Sequence, residues 1–305
     1  MSRSSTDTLA IGLGTCDVAV GRRRRSWLRR AARDAAPSAV RIVEIESALR
    51  YTDAGLFDAF GRALDDASTD ASTDASADAE DGSLSSVDAR TGPRRAAIVL
   101  DDFWGRHAIL RGDFRSLRAR DLDEVAGAYF ADTFGVDGET LIVRWQVQPG
   151  GRTLFASALP RALIEGIREK SAEARVDVAS IVLALPRILN RVRSAIGGGD
   201  GWLLVATDTL LHAVTVGKGG WSAYDTERVF RDGAEEGDAG AHAVADAARQ
   251  IFERSAAARG AECGVYLCGL ALDPEPFERS FARFTALHAH MSSAPPALGL
   301  MELAT

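Results

Sequence analysis

Residues 201–225 read GWLLVATDTLLHAVTVGKGGWSAYD, and the rest of the chain is organised around them. Trp202, Leu203, Leu204 and Val205 form a short apolar run. Thr207, Asp208 and Thr209 make a polar corner. From 210 to 216 apolar and polar positions alternate, with Leu211, Ala213 and Val214 apolar and His212 and Thr215 polar, which predicts a half-buried return strand. The glycine-rich stretch 217–220 is a hairpin turn, because glycine reaches positive φ without a Cβ clash, and a third strand starts at Trp221. The N-terminus repeats the pattern: a strand from Leu9 to Gly14, a corner at Thr15, Cys16 and Asp17, and a return strand at Val18, Ala19 and Val20. Two strand–corner–strand units in one chain predict a duplicated architecture.

The remaining pattern alternates strands with helices. Strands are predicted at 40–45, 94–100, 141–147, 153–158, 176–183 and 263–272, with 106–110 and 114–117 as short strands or loop. Helices are predicted at 56–64, 161–174, 186–196 and 241–258, and from Pro274 through Phe277, Phe281 and Phe284 to about His290. Another covers 122–134, with Asp121 as N-cap, Glu124 completing a capping box and Gly135 as C-cap. Residues 67–88, a repeat of Ser, Thr, Asp and Ala, have almost no large apolar side chain to offset ordering entropy and read as a disordered loop. Residues 197–201 read as a glycine linker, 229–240 as an acidic loop and 292–305 as a loose tail. The resulting map is a first lobe at 1–196, including an inserted subdomain at about 94–150, and a second lobe at 201–291.

Composition narrows the function classes. The chain has 305 residues, 46% hydrophobic and 26% charged, with a net charge of −7, which argues against general nucleic-acid binding. Three cysteines are too few for a disulfide framework. The first residues lack an apolar signal region, and no window is long and apolar enough for a membrane span, so the expected location is cytoplasmic. His242, His288 and His290 lack a third ligand at suitable spacing, so no metal site is expected. Ser157, Ser180 and Ser194 carry no nucleophile-elbow pattern, and no catalytic residue is assigned.

The order of elements is hairpin, helix, α/β insert, helix, glycine linker, second hairpin, long helix and a strand ending in glycine. It resembles the actin-like ATPases, in the PilM-type pilus-assembly branch and the related cytoplasmic domains of the GspL and MshI proteins. The segment from Arg94 to Phe134, containing DFWGRHAIL, is similar to the insert of those proteins, and 153–193 resembles the strand, helix and strand that follow it. The resemblance implies an α/β, two-lobed, duplicated ribonuclease-H-like fold with an inserted subdomain. It also implies two nucleotide-phosphate corners and a glycine beside the adenosine. The matching positions are Gly12, Gly14 and Thr15 at the first corner, Asp208 and Thr209 at the second, and Gly269 at the third element. The chain departs from the active pattern there. Gly12 stands where the first acid belongs, Ala206 where the second belongs, and Asp208 where a glycine belongs. Phosphoryl chemistry needs an anchored Mg²⁺ and close main-chain approach to phosphate, so these six residues are expected to be a vestigial nucleotide site. No cofactor is expected; ATP and Mg²⁺ are the ones the resemblance raises.

The role implied is a cytoplasmic, non-catalytic scaffold for a type IV pilus or related secretion system, whose groove receives a short cytoplasmic peptide of an inner-membrane partner. The alternative is an active nucleotide-dependent phosphotransferase or ATPase of the same superfamily, with Asp17 or Asp208 holding the metal. An adaptor unrelated to pili is a third class.

The arginines at 22–25 read either as an anionic-headgroup contact or as a solvated turn and edge strand, and the second is the expectation. The purified chain should therefore stay in the supernatant when spun with anionic liposomes at physiological salt. Salt-sensitive sedimentation that disappears when these arginines become serine would establish headgroup binding instead.

Overall fold

The computed structural model describes residues 8–23, 40–77, 94–196, 200–217, 220–229, 238–255, 263–270, 272–287 and 295–304. In chain order the elements are β1 (Thr8–Leu13), β2 (Asp17–Arg23), β3 (Arg41–Glu44), α1 (Asp53–Ala77), β4 (Arg94–Leu100), β5 (Arg106–Arg111), α2 (Ala119–Phe134), β6 (Leu141–Val147), β7 (Thr153–Pro160) and α3 (Arg161–Glu173). They continue with β8 (Val176–Leu183), α4 (Ala184–Val192), β9 (Gly201–Ala206), β10 (Leu210–Gly217), β11 (Gly220–Arg228), α5 (Asp238–Ser255), β12 (Gly264–Gly269), α6 (Glu275–Ser280), β13 (Phe284–Ala286) and α7 (Pro296–Leu303). Two compact units result. One comprises Met1–Asp101, Ala162–Ala184 and Ala294–Thr305; the other comprises Asp102–Arg161 and Leu185–Ser293.

The duplication is visible in the sheets. The first unit holds a sheet of order β3-β2-β1-β4-β8, and the second a sheet of order β11-β10-β9-β12-β13. In each, the first three strands in sequence form an antiparallel meander, and a parallel strand joins the other side of the first one. A helix precedes each parallel strand, α1 before β4 and α5 before β12, because a parallel crossover needs a long connection. The central strands β1 and β9 are buried almost throughout, which explains why they read as unbroken apolar runs. Under the second sheet, Trp202, Val244, Ile251, Phe277 and Phe281 form one core. A third sheet of order β5-β7-β6 packs on α2 through Ala108, Leu122, Ala126, Phe130, Leu154 and Ala156.

Several boundaries differ from the sequence reading. The insert starts after Asp101, since β4 belongs to the five-stranded sheet, and it runs to β7. The helix at α2 opens at Arg118, whose N–H donates to Asp121 Oδ2 at 3.0 Å, so Asp121 lies in the first turn. Gly135 does end it, at φ 63°. Helix α1 extends through Ala77, so 67–77 is helical: an amphipathic start nucleates the helix, and each added residue then needs no new nucleus, with alanines at 67, 71, 75 and 77 favouring it. Residues 78–88 lie outside the described residues, as do 197–199, 218–219, 230–237 and both histidines at 288 and 290.

The last helix is shorter than its phenylalanine spacing suggests. After α6 the chain turns extended at Phe281, and β13 pairs with β12. Phe284 stacks on Phe277 with ring centroids 5.5 Å apart, so the same aromatic core is filled from a strand. Residues 296–303 are not a loose tail. Pro296 opens α7, and Ala297, Leu300, Met301 and Leu303 are buried against β1, β2 and β4. Among the described residues no helix is long and apolar enough to cross a membrane.

Because Leu300 is 2% exposed, Leu300→Ala should lower stability by about 2–5 kcal/mol, read from denaturant midpoints. An unchanged midpoint would mean that α7 does not pack as described.

Candidate functional site

The first corner lies at the end of β1. Gly14 N–H donates to Asp17 O at 3.0 Å, closing a tight turn through Thr15 and Cys16. Thr15 and Asp17 are both buried. The Asp17 carboxylate accepts from Ala297 N–H at 3.2 and 3.4 Å. It thus meets the N-terminus of α7, where orphan N–H groups and the helix dipole favour an anion. Gly12 is packed still more closely: a Cβ there would lie 2.0 Å from Ala297 O and 2.5 Å from Met301 N. The main chain of α7 fills the space directly over Gly12. At Gly14 a Cβ would lie 2.7 Å from Asp17 Oδ1. Gly12, Gly14, Thr15 and Asp17 are therefore brought together, with α7 over them.

The second corner closes on itself. Thr207 N–H donates to Leu210 O at 2.9 Å, and Leu210 N–H donates to Thr207 Oγ1 at 3.1 Å. Asp208 is half-buried at the tip. Thr209 is buried, and its Oγ1 has no hydrogen-bond partner among the described residues. Gly269 has φ +106°, and a Cβ on it would lie 2.1 Å from Ala206 O. Leu270 N–H donates to that same carbonyl at 3.0 Å. Ala206, Thr207, Asp208, Thr209 and Gly269 thus gather at the ends of β9 and β12. Among the described residues no group of three or more His, Cys, Asp or Glu side chains is placed to hold a metal ion.

A polar cluster in the second unit was not found from sequence. Asp102 is buried and accepts from Leu185 N–H, in the first turn of α4, at 2.9 and 3.1 Å. His107 Nε2 stands 2.7 Å from Asp102 Oδ1, and His107 Nδ1 stands 2.8 Å from Ser157 Oγ. A carboxylate only accepts, so His107 Nε2 carries a proton and donates to Asp102, while Nδ1 and the serine hydroxyl share the other hydrogen bond. His212 Nε2 faces Asp102 Oδ2 at 3.6 Å, and its Nδ1 stands 3.0 Å from Tyr224 Oη. Burial acts to raise the Asp102 pKa, but the electrostatic pull and hydrogen bond of His107, the pull of His212 and the Leu185 N–H outweigh it, and the pKa is lowered. Burial lowers that of His212 to about 4 and raises that of Tyr224.

The Asp102–His107–Ser157 connectivity is that of a hydrolase triad, but the setting is different. Ser157 lies inside β7, laddered to β5 on one side and β6 on the other, so its neighbouring N–H groups are committed to the sheet rather than to an oxyanion. The cluster joins β5, β7, α4, β10 and β11. In sequence Asp102 read as a strand end and His212 as a polar position on a half-buried strand; their convergence depends on strand pairing across about a hundred residues, which no local spacing reports.

His212 gives the cluster a pH dependence. Its folded pKa of about 4 lies below the ordinary 6.5, so the unfolded chain binds the proton more tightly. Stability should be full above pH 6.5 and fall between pH 6.5 and 4, by about 3 kcal/mol. Denaturant midpoints across that range should show the slope, and His212→Gln should flatten it; an equal slope in the variant would clear His212 of the effect.

No protein-family model matches the chain, and no curated sequence does. Solved structures match over nearly its whole length. A Bacteroides thetaiotaomicron protein, described as having an actin-like ATPase fold and unknown function, aligns at TM-score 0.59 and 10% identity, covering 98% of this chain and 96% of that one. The PilM–PilN type IV pilus biogenesis complex aligns at 0.59 and 11%, covering 97% and 98%. The cytoplasmic domain of EpsL, an inner-membrane component of the Vibrio cholerae type II secretion system, aligns at 0.50 and 11%, covering 98% and 94%. With the duplicated sheets and the element order, these likenesses show that the chain has the actin-like ATPase fold.

Proposed function

We propose that this chain is a non-catalytic scaffold, at the cytoplasmic face of the inner membrane, in the assembly of a type IV pilus or related secretion system. It engages a short cytoplasmic peptide of an inner-membrane protein. The observation that carries the non-catalytic part is the main chain of α7 over Gly12. An acid at that position would project into the space taken by Ala297 O and Met301 N. The residues of the two corners do not fit a magnesium nucleotide. Asp17 is already bonded to α7, Asp208 adds a negative charge at the corner, and the Gly269 face is taken up by the Ala206 carbonyl. The assembly part rests on the likeness to a pilus biogenesis complex and to a secretion-system domain.

Two experiments test the reading. The tagged chain should retain an inner-membrane component of a pilus or secretion machine from detergent-solubilised native membranes; retention of none sinks the assembly role. Mg²⁺-ATP should give neither heat of binding nor phosphate release, and Gly12→Asp should not restore them. That variant should instead lose several kcal/mol of stability, since the new side chain must push α7 from β1. Turnover of Mg²⁺-ATP by the parent chain, abolished in Asp17→Asn or Asp208→Asn, would establish the enzyme reading instead.

A further inference from the structure

Among the described residues the first unit has β3 at the end of its sheet, beside an acidic groove. Among the described residues β3 ladders only to β2, with Val43 opposite Val18 and Arg41 opposite Val20. Ile45 N–H donates back toward β2, to Cys16 O at 2.8 Å. Main-chain direction alternates along a strand, so the groups of Ile42 and Glu44 point away from the sheet. Two adjoining cavities of about 500 and 450 Å³ run along this edge, between β3 and the flank of α1, and share Glu44 and Arg62. Ile42 is 41% exposed there.

The groove is negative. Carboxylates of Glu44, Glu46, Asp58, Asp65 and Asp66 line it, against the guanidiniums of Arg50 and Arg62. Asp58 holds Arg62 at 3.0 Å, and Arg62 Nη2 donates to Glu44 O at 3.2 Å. One outward carbonyl of the edge is thus met by a side chain, while the pair itself is exposed and costs little to rearrange. An arginine laid over an edge is also a common guard against indiscriminate strand pairing.

We propose that β3 is a docking edge for an extended segment of alternating basic and apolar residues, added as a further strand. Its basic side chains face the α1 carboxylates, its apolar ones cover Ile42, and its main chain pairs with Ile42 and Glu44. The proposal rests on the scaffold reading for the identity of the partner and names where and by what chemistry it binds. The cytoplasmic flanks of membrane spans carry an excess of lysine and arginine, which is the charge this groove complements.

The test uses the full chain and two fluorescent octapeptides, one alternating lysine and valine and the other alternating glutamate and valine, titrated at low and physiological salt. The basic peptide should bind saturably and more weakly as salt rises, and the acidic one should not bind. Ile42→Pro removes the outward N–H without touching the β2 ladder and should weaken binding at least tenfold, with the melting temperature within a few degrees of the parent. The double variant Glu46→Lys, Asp65→Lys, which leaves the strand intact, should weaken it comparably. Absence of saturable binding, equal binding of the two peptides, or parent-like affinity in both variants overturns the proposal. The capture experiment separates this from the scaffold reading: a pilus or secretion protein still retained by Ile42→Pro discards the groove and leaves the scaffold standing.

Discussion

The closest constraint in the first unit is the contact of two main chains at Gly12. β1 is the middle strand of its sheet, and side-chain alternation places Gly12 and Gly21 on one face. A side chain at either would strike α7, so absent side chains let this helix lie almost on the strand. Everything proposed about the corner follows from that proximity. The helix that covers the face also supplies the N–H that satisfies the buried Asp17 carboxylate.

The second unit is tied by a charge instead. Asp102 is buried with its oxygens shared among the start of α4, His107 on β5 and the ring of His212 on β10. A buried carboxylate is tolerated only when its partners over-determine it, and here three elements distant in sequence do so. Ser157 and Tyr224 terminate the two histidine branches. The result resembles a catalytic relay in connectivity and a structural tie in setting, because it joins strands and sits inside a sheet. The first unit thus covers a sheet face with a helix, and the second ties strands of its two sheets through a buried carboxylate.

Much of the fold was legible along the chain. Apolar runs gave β1 and β9, alternation gave β10, and two matching corners gave the duplication, because strand periodicity and turn chemistry are local properties. The residues of the two corners were legible as identities. Elements whose stability comes from elsewhere were not. The phenylalanines at 277, 281 and 284 have helical spacing, yet Phe284 reaches the same core from β13. The apolar residues of α7 lie among prolines and a glycine on a short segment near the end of the sequence, and it is packing against β1 and β2 that orders them. The Asp and Ser repeat at 67–77 looked unable to fold, but it continues a helix already nucleated by Leu56, Phe60 and Leu64.

By itself, then, the sequence determined the strand and helix periods, the repeated corner and the residues that stand at its two copies, all of which are written in residue type and spacing. Only the tertiary structure decided what lies over Gly12, that a segment some 280 residues away caps Asp17, and that Asp102, His107 and His212 converge. The physical reason is that burial, hydrogen-bond satisfaction and steric exclusion are properties of neighbours in space. A glycine in a sequence records that a side chain is missing there, and the packed chain alone records what took its room.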